Sequence, residues 1–122
     1  MRRFAKSDKV ADLLKHAISN ALLLHLGDPR LRWITLTDVR LTRDLSVAWV
    51  YYTVLEDQLD RDAAARAITE NLRELKRYLA QHLRLRQLPE IRFRFDTTEE
   101  QARRIETLLD GISRDPGDSD GT

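Results

Sequence analysis

The chain has 122 residues, 42% apolar and 34% charged, with a formal net charge of +1 and no cysteine. This length predicts one domain with room for a core, and the missing cysteines exclude a disulfide framework, thiolate metal sites and a cysteine nucleophile. A net charge so close to zero does not by itself suggest a nucleic-acid binder, so the distribution of charge carries the information.

The basic start, Met1 to Lys6, lacks a following apolar run and a small-residue cleavage site, and predicts no secretory signal. The first helix is expected from about Ser7, as N-cap, to Leu26. Val10, Leu13, Leu14, Ala17, Ile18, Ala21 and Leu24 form its apolar stripe. Gly27 and Pro29 stop it. Its apolar run Ala21 to Leu24 is far too short to span a membrane.

Trp33 to Leu41 reads as a strand whose parity slips at Thr37-Asp38, predicting a β-bulge. A turn at Arg43-Asp44 leads into a second strand, Leu45 to Leu55. Its apolar run implies burial on both faces or an aromatic surface.

Asp60 is positioned to cap a second helical region over 61–85. Unbroken, that helix would be roughly 38 Å long, against a radius of gyration of roughly 14 Å for such a domain. A kink or break is therefore expected near Asn71, a weak helix former. Ile91, Phe93 and Phe95 then alternate with Arg92 and Arg94 in a third strand, parallel to one of the first two after its helical crossover. Thr97 and Glu100 form a capping box for a last helix ending near Leu109 and Gly111. Residues 113–122 lack apolar residues and read as a disordered tail after a domain of residues 1–112.

No catalytic constellation emerges. His16, His25 and His82 fit no metal-binding spacing, and His82 reads as a partly buried helix residue. The acid pairs Asp60/Asp62 and Glu99/Glu100 sit at helix starts, where the helix dipole favours them. The four glycines form no phosphate loop. What stands out is cationic: Arg73, Lys76, Arg77, Arg84, Arg86, Arg92 and Arg94 face only Glu74 and Glu90 over residues 73–94. Arginine forks suit phosphate recognition. Trp33 and Trp49 fit either the core or base stacking.

Several short blocks, in order, resemble the ribosome-binding factor A family: Lys9-Val10-Ala11, Asp28-Pro29-Arg30-Leu31, Thr37-Asp38-Val39 with Arg43-Asp44-Leu45, and Ala48-Trp49-Val50-Tyr51. The run Arg84-Leu85-Arg86-Gln87-Leu88-Pro89-Glu90-Ile91-Arg92-Phe93 and then Ala102-Arg103-Arg104-Ile105 complete the match. The resemblance implies an α+β, type II KH-like domain, α-β-β-α-(kink)-α-β, with helices on one face of a three-stranded sheet and a C-terminal helix. It implies a cytoplasmic, non-enzymatic factor that binds the immature small (30S) ribosomal subunit and 16S rRNA, and promotes late maturation and rRNA processing, with a role in cold adaptation. No cofactor, metal, membrane or small-molecule substrate is implied, and the chain is expected to be monomeric. The family's small-residue A-x-G interruption aligns with Asn71-Leu72-Arg73, which lacks the glycine. Arg30, Arg73, Lys76, Arg77, Arg84 and Arg86 are the expected phosphate contacts. Arg92 and Arg94 are candidates whose strand face is either binding surface or plain solvent. The alternative function is a protein–protein adaptor using an open sheet face.

Overall fold

The structure, a computed structural model, describes residues 6–97. Arg2 and Arg3, most of the capping box, the last helix and the 113–122 tail lie outside the described residues. Helix α1 spans Lys6–Asn20. Ser7 lies inside it and is therefore not its cap. The helix then widens into a π-helical turn, Ala21–His25, closed by the Leu26 N–H donating to the Ala21 carbonyl at 3.0 Å. A π turn holds more residues than an α turn, so the side chains after Ala21 fall behind the α-helical phase. Leu22 enters the core, whereas Leu24, expected there, is 74% exposed. Leu13 is also out, at 51%, because it lies about 100° round the helix from buried Leu14.

Gly27 ends the helix at φ 75, in the left-handed region, with open space where a Cβ would stand. The requirement for glycine there is one of backbone freedom alone. Asp28 next caps a 3₁₀ turn, Pro29–Trp33, accepting from the Arg30 N–H at 3.0 Å.

Strands β1 (Ile34–Leu41), β2 (Val47–Val54) and β3 (Glu90–Phe95) form one sheet in that spatial order. β1 and β2 are antiparallel, and their register shifts between Leu36 and Asp38, where the bulge is expected. The bulge turns Ile34 and Leu36 before it, and Val39 and Leu41 after it, into the same buried core. β2 starts two residues later than its apolar run, because Leu45 is spent in the turn at φ 63. β3 lies parallel to β2, with Ala48 beside Ile91 and Tyr52 beside Phe95, so the most apolar strand is the central one.

Helix α2 spans Arg61–His82. Asp60 caps it as expected, accepting from the Ala63 N–H at 2.7 Å. It ends three residues short of Leu85 and runs unbroken through Asn71, about 33 Å long. The break expected at Asn71 is absent because its amide works with the helix: Nδ2 donates to the Ala67 carbonyl at 2.8 Å and to Asp28 Oδ2 at 2.9 Å. Val10, Leu14 and Ile18 of α1, Ala64, Ala67, Leu75 and Leu79 of α2, and Ala48, Val50, Tyr52 and Ile91 of the sheet share one core. Both helices therefore cover one face. Trp49 and Tyr51, of opposite parity, face the other side.

Candidate nucleic-acid interface

The eight cations expected to contact phosphate fall into separate groups. Arg73 and Arg77 lie on the exposed side of α2, away from the core. Arg66, which the sequence reading passed over, is exposed and falls within about 40° of both around the helix. Its signal was the 66–73–77 spacing. Arg77 Nη1 sits 3.6 Å from Glu74 Oε1, with both side chains about 60% exposed, a geometry that solvent screens. Arg73, Arg84 and Arg86 are exposed and make no hydrogen bond or ion pair among the described residues.

Lys76 and Arg86 line a cleft of about 750 Å³ together with Asp44, Glu90, Val10 and Leu88. The linker from α2 to β3 builds this cleft. Leu83, Leu85 and Leu88 pack against the core, so the intervening Arg84 and Arg86 are turned outward.

Arg30 is already bonded to two carboxylates. Its Nη2 donates to Asp28 Oδ2 at 2.6 Å and to Glu70 Oε1 at 2.6 Å, and its Nε donates to Asp28 Oδ1 at 3.1 Å. The Arg30 hydrogen bonds, followed by the one from Asn71, hold the Asp28 carboxyl well below the usual carboxylate range, and Asp28 in turn raises the Arg30 guanidinium. Arg30 is thus the middle of a clamp joining the loop after α1 to the middle of α2. An alanine at position 71 would leave Asp28 without that donor.

Arg92 and Arg94 stand on the far face of the sheet, opposite the helices. Arg92 donates to Glu90 Oε2 at 2.7 Å and lies 5.5 Å from the Trp49 ring. The pairing lowers the Glu90 carboxyl and raises Arg92. Beside them Arg40 pairs with Asp38 at 3.2 Å. Of the two tryptophans, Trp33 packs against the core and Trp49 does not. His82 is exposed rather than partly buried, and its ring stacks on Tyr78 at 4.0 Å. No group of three His, Cys, Asp or Glu residues that would hold a metal occurs among the described residues, nor is any described helix long and apolar enough to cross a membrane.

Comparison with known proteins gives the chain a lineage. The family model described as ribosome-binding factor A matches residues 6–109. A ribosome-binding factor A from Desulfosudis oleivorans is 36% identical over 118 residues, 97% of this chain and 92% of that protein. One from Geobacter sulfurreducens is 35% identical over 117 residues, 96% of this chain and 99% of that protein. The crystal structure of ribosome-binding factor A from Thermus thermophilus superposes with a TM-score of 0.64 at 32% identity, over 73% of this chain and 93% of that one. A Thermus thermophilus RbfA homology model fitted into a cryo-EM map of a 30S–RbfA complex superposes with a TM-score of 0.56 at 35% identity, over 68% and 87%.

Proposed function

Because the chain belongs to the ribosome-binding factor A family and has its type II KH-like fold, we propose that it binds the immature small ribosomal subunit in the cytoplasm. There it contacts 16S rRNA through the solvent side of α2 and the α2–β3 linker, and promotes late maturation and rRNA processing, including in the cold. The role is binding rather than catalysis. One observation carries this reading: Arg73, Arg84 and Arg86 are exposed and have no partner among the described residues, where Arg77 is held only by a screened pair. Unneutralised guanidinium groups on one side of a fold suit phosphate oxygens, and phosphate contacts supply most of the affinity in such complexes. The relative fitted into a 30S map supports the choice of subunit.

Arg30 enters this proposal as a positioning residue. It sets the loop after α1 against α2, and contacts phosphate only at the cost of its bonds to Asp28 and Glu70. The test is cosedimentation with free small subunits, large subunits and joined ribosomes. Wild-type chain is expected with free small subunits, and binding should fall steeply as salt rises. A variant with Arg77, Arg84 and Arg86 all changed to Glu, folded by circular dichroism, is expected to remain in the supernatant. Undiminished pelleting of that variant would sink the proposal.

A further inference from the structure

Where α1 ends against α2, three rings gather at the surface. His25 lies 4.7 Å from Tyr78 between ring centroids, tilted by 33°, and Tyr78 lies 4.0 Å from His82, tilted by 23°. The two imidazoles are 6.1 Å apart. Both histidines are exposed and Tyr78 is half-buried. His25 is carried by the π-helical turn Ala21–His25, a helix form that is rare and concentrated at functional sites. The same turn directs Leu23 and Leu24 outward, at 62% and 74% exposure.

His82 is also oriented. Its Nδ1 is 2.9 Å from the Tyr78 carbonyl oxygen. A carbonyl only accepts, so Nδ1 carries the proton, and in the neutral ring Nε2 is left as an acceptor. Packing alone would account for rings shut inside the helix junction. It does not account for two exposed imidazoles, one of them held by its Nδ1.

We propose that the His25–Tyr78–His82 cluster is a stacking platform for an unpaired nucleobase of single-stranded RNA. His82 Nε2 accepts a hydrogen bond from the base or a 2′-hydroxyl. The inference rests on the RNA-binding reading and adds to it the kind of nucleotide bound. Splayed-out bases are recognised by stacking on aromatic side chains, histidine included. The charges agree. Arg77 immediately precedes Tyr78 and Arg84 follows His82 by two residues, so cations flank the rings on the same stretch of chain. The acid closest to Tyr78 along α2, Glu74, is already paired with Arg77.

The experiment compares full-length wild type with the double variant His25→Ala/His82→Ala. Both are titrated with a single-stranded 12-nucleotide RNA and with a duplex of the same sequence, over a range of salt. The variant is expected to bind the single strand about tenfold more weakly. Its dependence on salt should not change, because every phosphate contact is kept, and its duplex affinity should stay the same. His25→Phe/His82→Phe should recover most of the loss. Equal single-strand affinity, an equal loss on the duplex, or no recovery with phenylalanine overturns the platform. A loss of small-subunit binding on Leu23→Ser/Leu24→Ser with no effect of the ring variants would overturn it in favour of a protein partner. The two readings separate cleanly. If Arg77→Glu/Arg84→Glu weakens RNA binding and the ring variants do not, only the platform fails; if wild type binds neither RNA, the RNA reading fails and the platform with it.

Discussion

The solvent side of α2 and the outer face of the sheet both display arginines, and they differ in what those arginines already hold. On the sheet, Arg92 is bonded to Glu90 and lies against Trp49, and Arg40 is bonded to Asp38. On α2 and the linker behind it, Arg66, Arg73, Arg84 and Arg86 are exposed and have no ion pair among the described residues. A guanidinium that must surrender a carboxylate to reach a phosphate gains little by the exchange. One surrounded only by water releases counterions when it binds. The two groups of arginines therefore make unequal surfaces, and the helical side is the one our proposal assigns to the polyanion.

The most direct way to break this comparison is to reverse charge on each face separately. Arg66→Glu/Arg73→Glu is expected to weaken small-subunit binding on the order of a hundredfold and to flatten its salt dependence by about one unit of log–log slope for each phosphate no longer neutralised. Arg92→Glu/Arg94→Glu is expected to change affinity by less than about threefold. Measuring both by cosedimentation across salt decides the matter. A larger loss from the sheet variant would invert the assignment of the interface.

A smaller effect tests what supports the helical side. Asp28 joins Arg30 and Asn71, and through Arg30 also Glu70. Asp28→Ala removes the acceptor that Arg30 and Asn71 share and is expected to cost about 2 kcal/mol, a drop in melting temperature of roughly 10 °C for a domain of this size. Urea denaturation is the check, and an unchanged midpoint would mean that the clamp is ornamental. The same carboxyl gives the fold a dependence on acid. Its folded pKa is depressed by the Arg30 hydrogen bonds, so the unfolded chain takes up a proton first as pH falls. Stability from Asp28 is then complete above its ordinary value of about 3.9 and is lost progressively below it. Asp28→Asn should remove that part of the acid sensitivity, seen as a shallower fall in melting temperature between about pH 4 and pH 2.

How far this comparison was legible in the sequence differs between its two sides. The alternation of Ile91, Phe93 and Phe95 with Arg92 and Arg94 placed those arginines on one strand face, and the parity slip at Thr37-Asp38 located the bulge. Both are local, period-two signals, which survive without knowledge of partners. Glu90 is a local neighbour of Arg92, two residues before it on the strand, but Trp49 as its partner was not visible, because Trp49 reaches it only through the parallel pairing of β2 with β3. The bond from Arg30 to Glu70 was hidden for the same reason, because the two are 40 residues apart in sequence. Propensity at Asn71 pointed to a break, and a tertiary hydrogen bond to Asp28 overrode it. Leu24 and Leu22 exchanged places because one π-helical turn changes the phase, which an α-helical spacing rule cannot register.

The smallest effect is the sharpest probe of the idea that pairing, rather than position, silences the sheet arginines. Glu90→Gln removes the carboxylate that Arg92 holds at 2.7 Å and leaves the strand, its register and its neighbours in place. Both side chains are about half exposed, so the fold should not register the change, and the melting temperature is expected to be the same within error. RNA affinity is expected to rise about twofold, with a slightly steeper salt dependence, since one guanidinium becomes available for nonspecific phosphate contact. Combining Glu90→Gln with Arg92→Gln should cancel the gain. If Glu90→Gln has no effect on RNA affinity while Arg92→Glu also has none, the sheet face is silent because RNA does not reach it. Geometry, and not charge pairing, then separates the two faces.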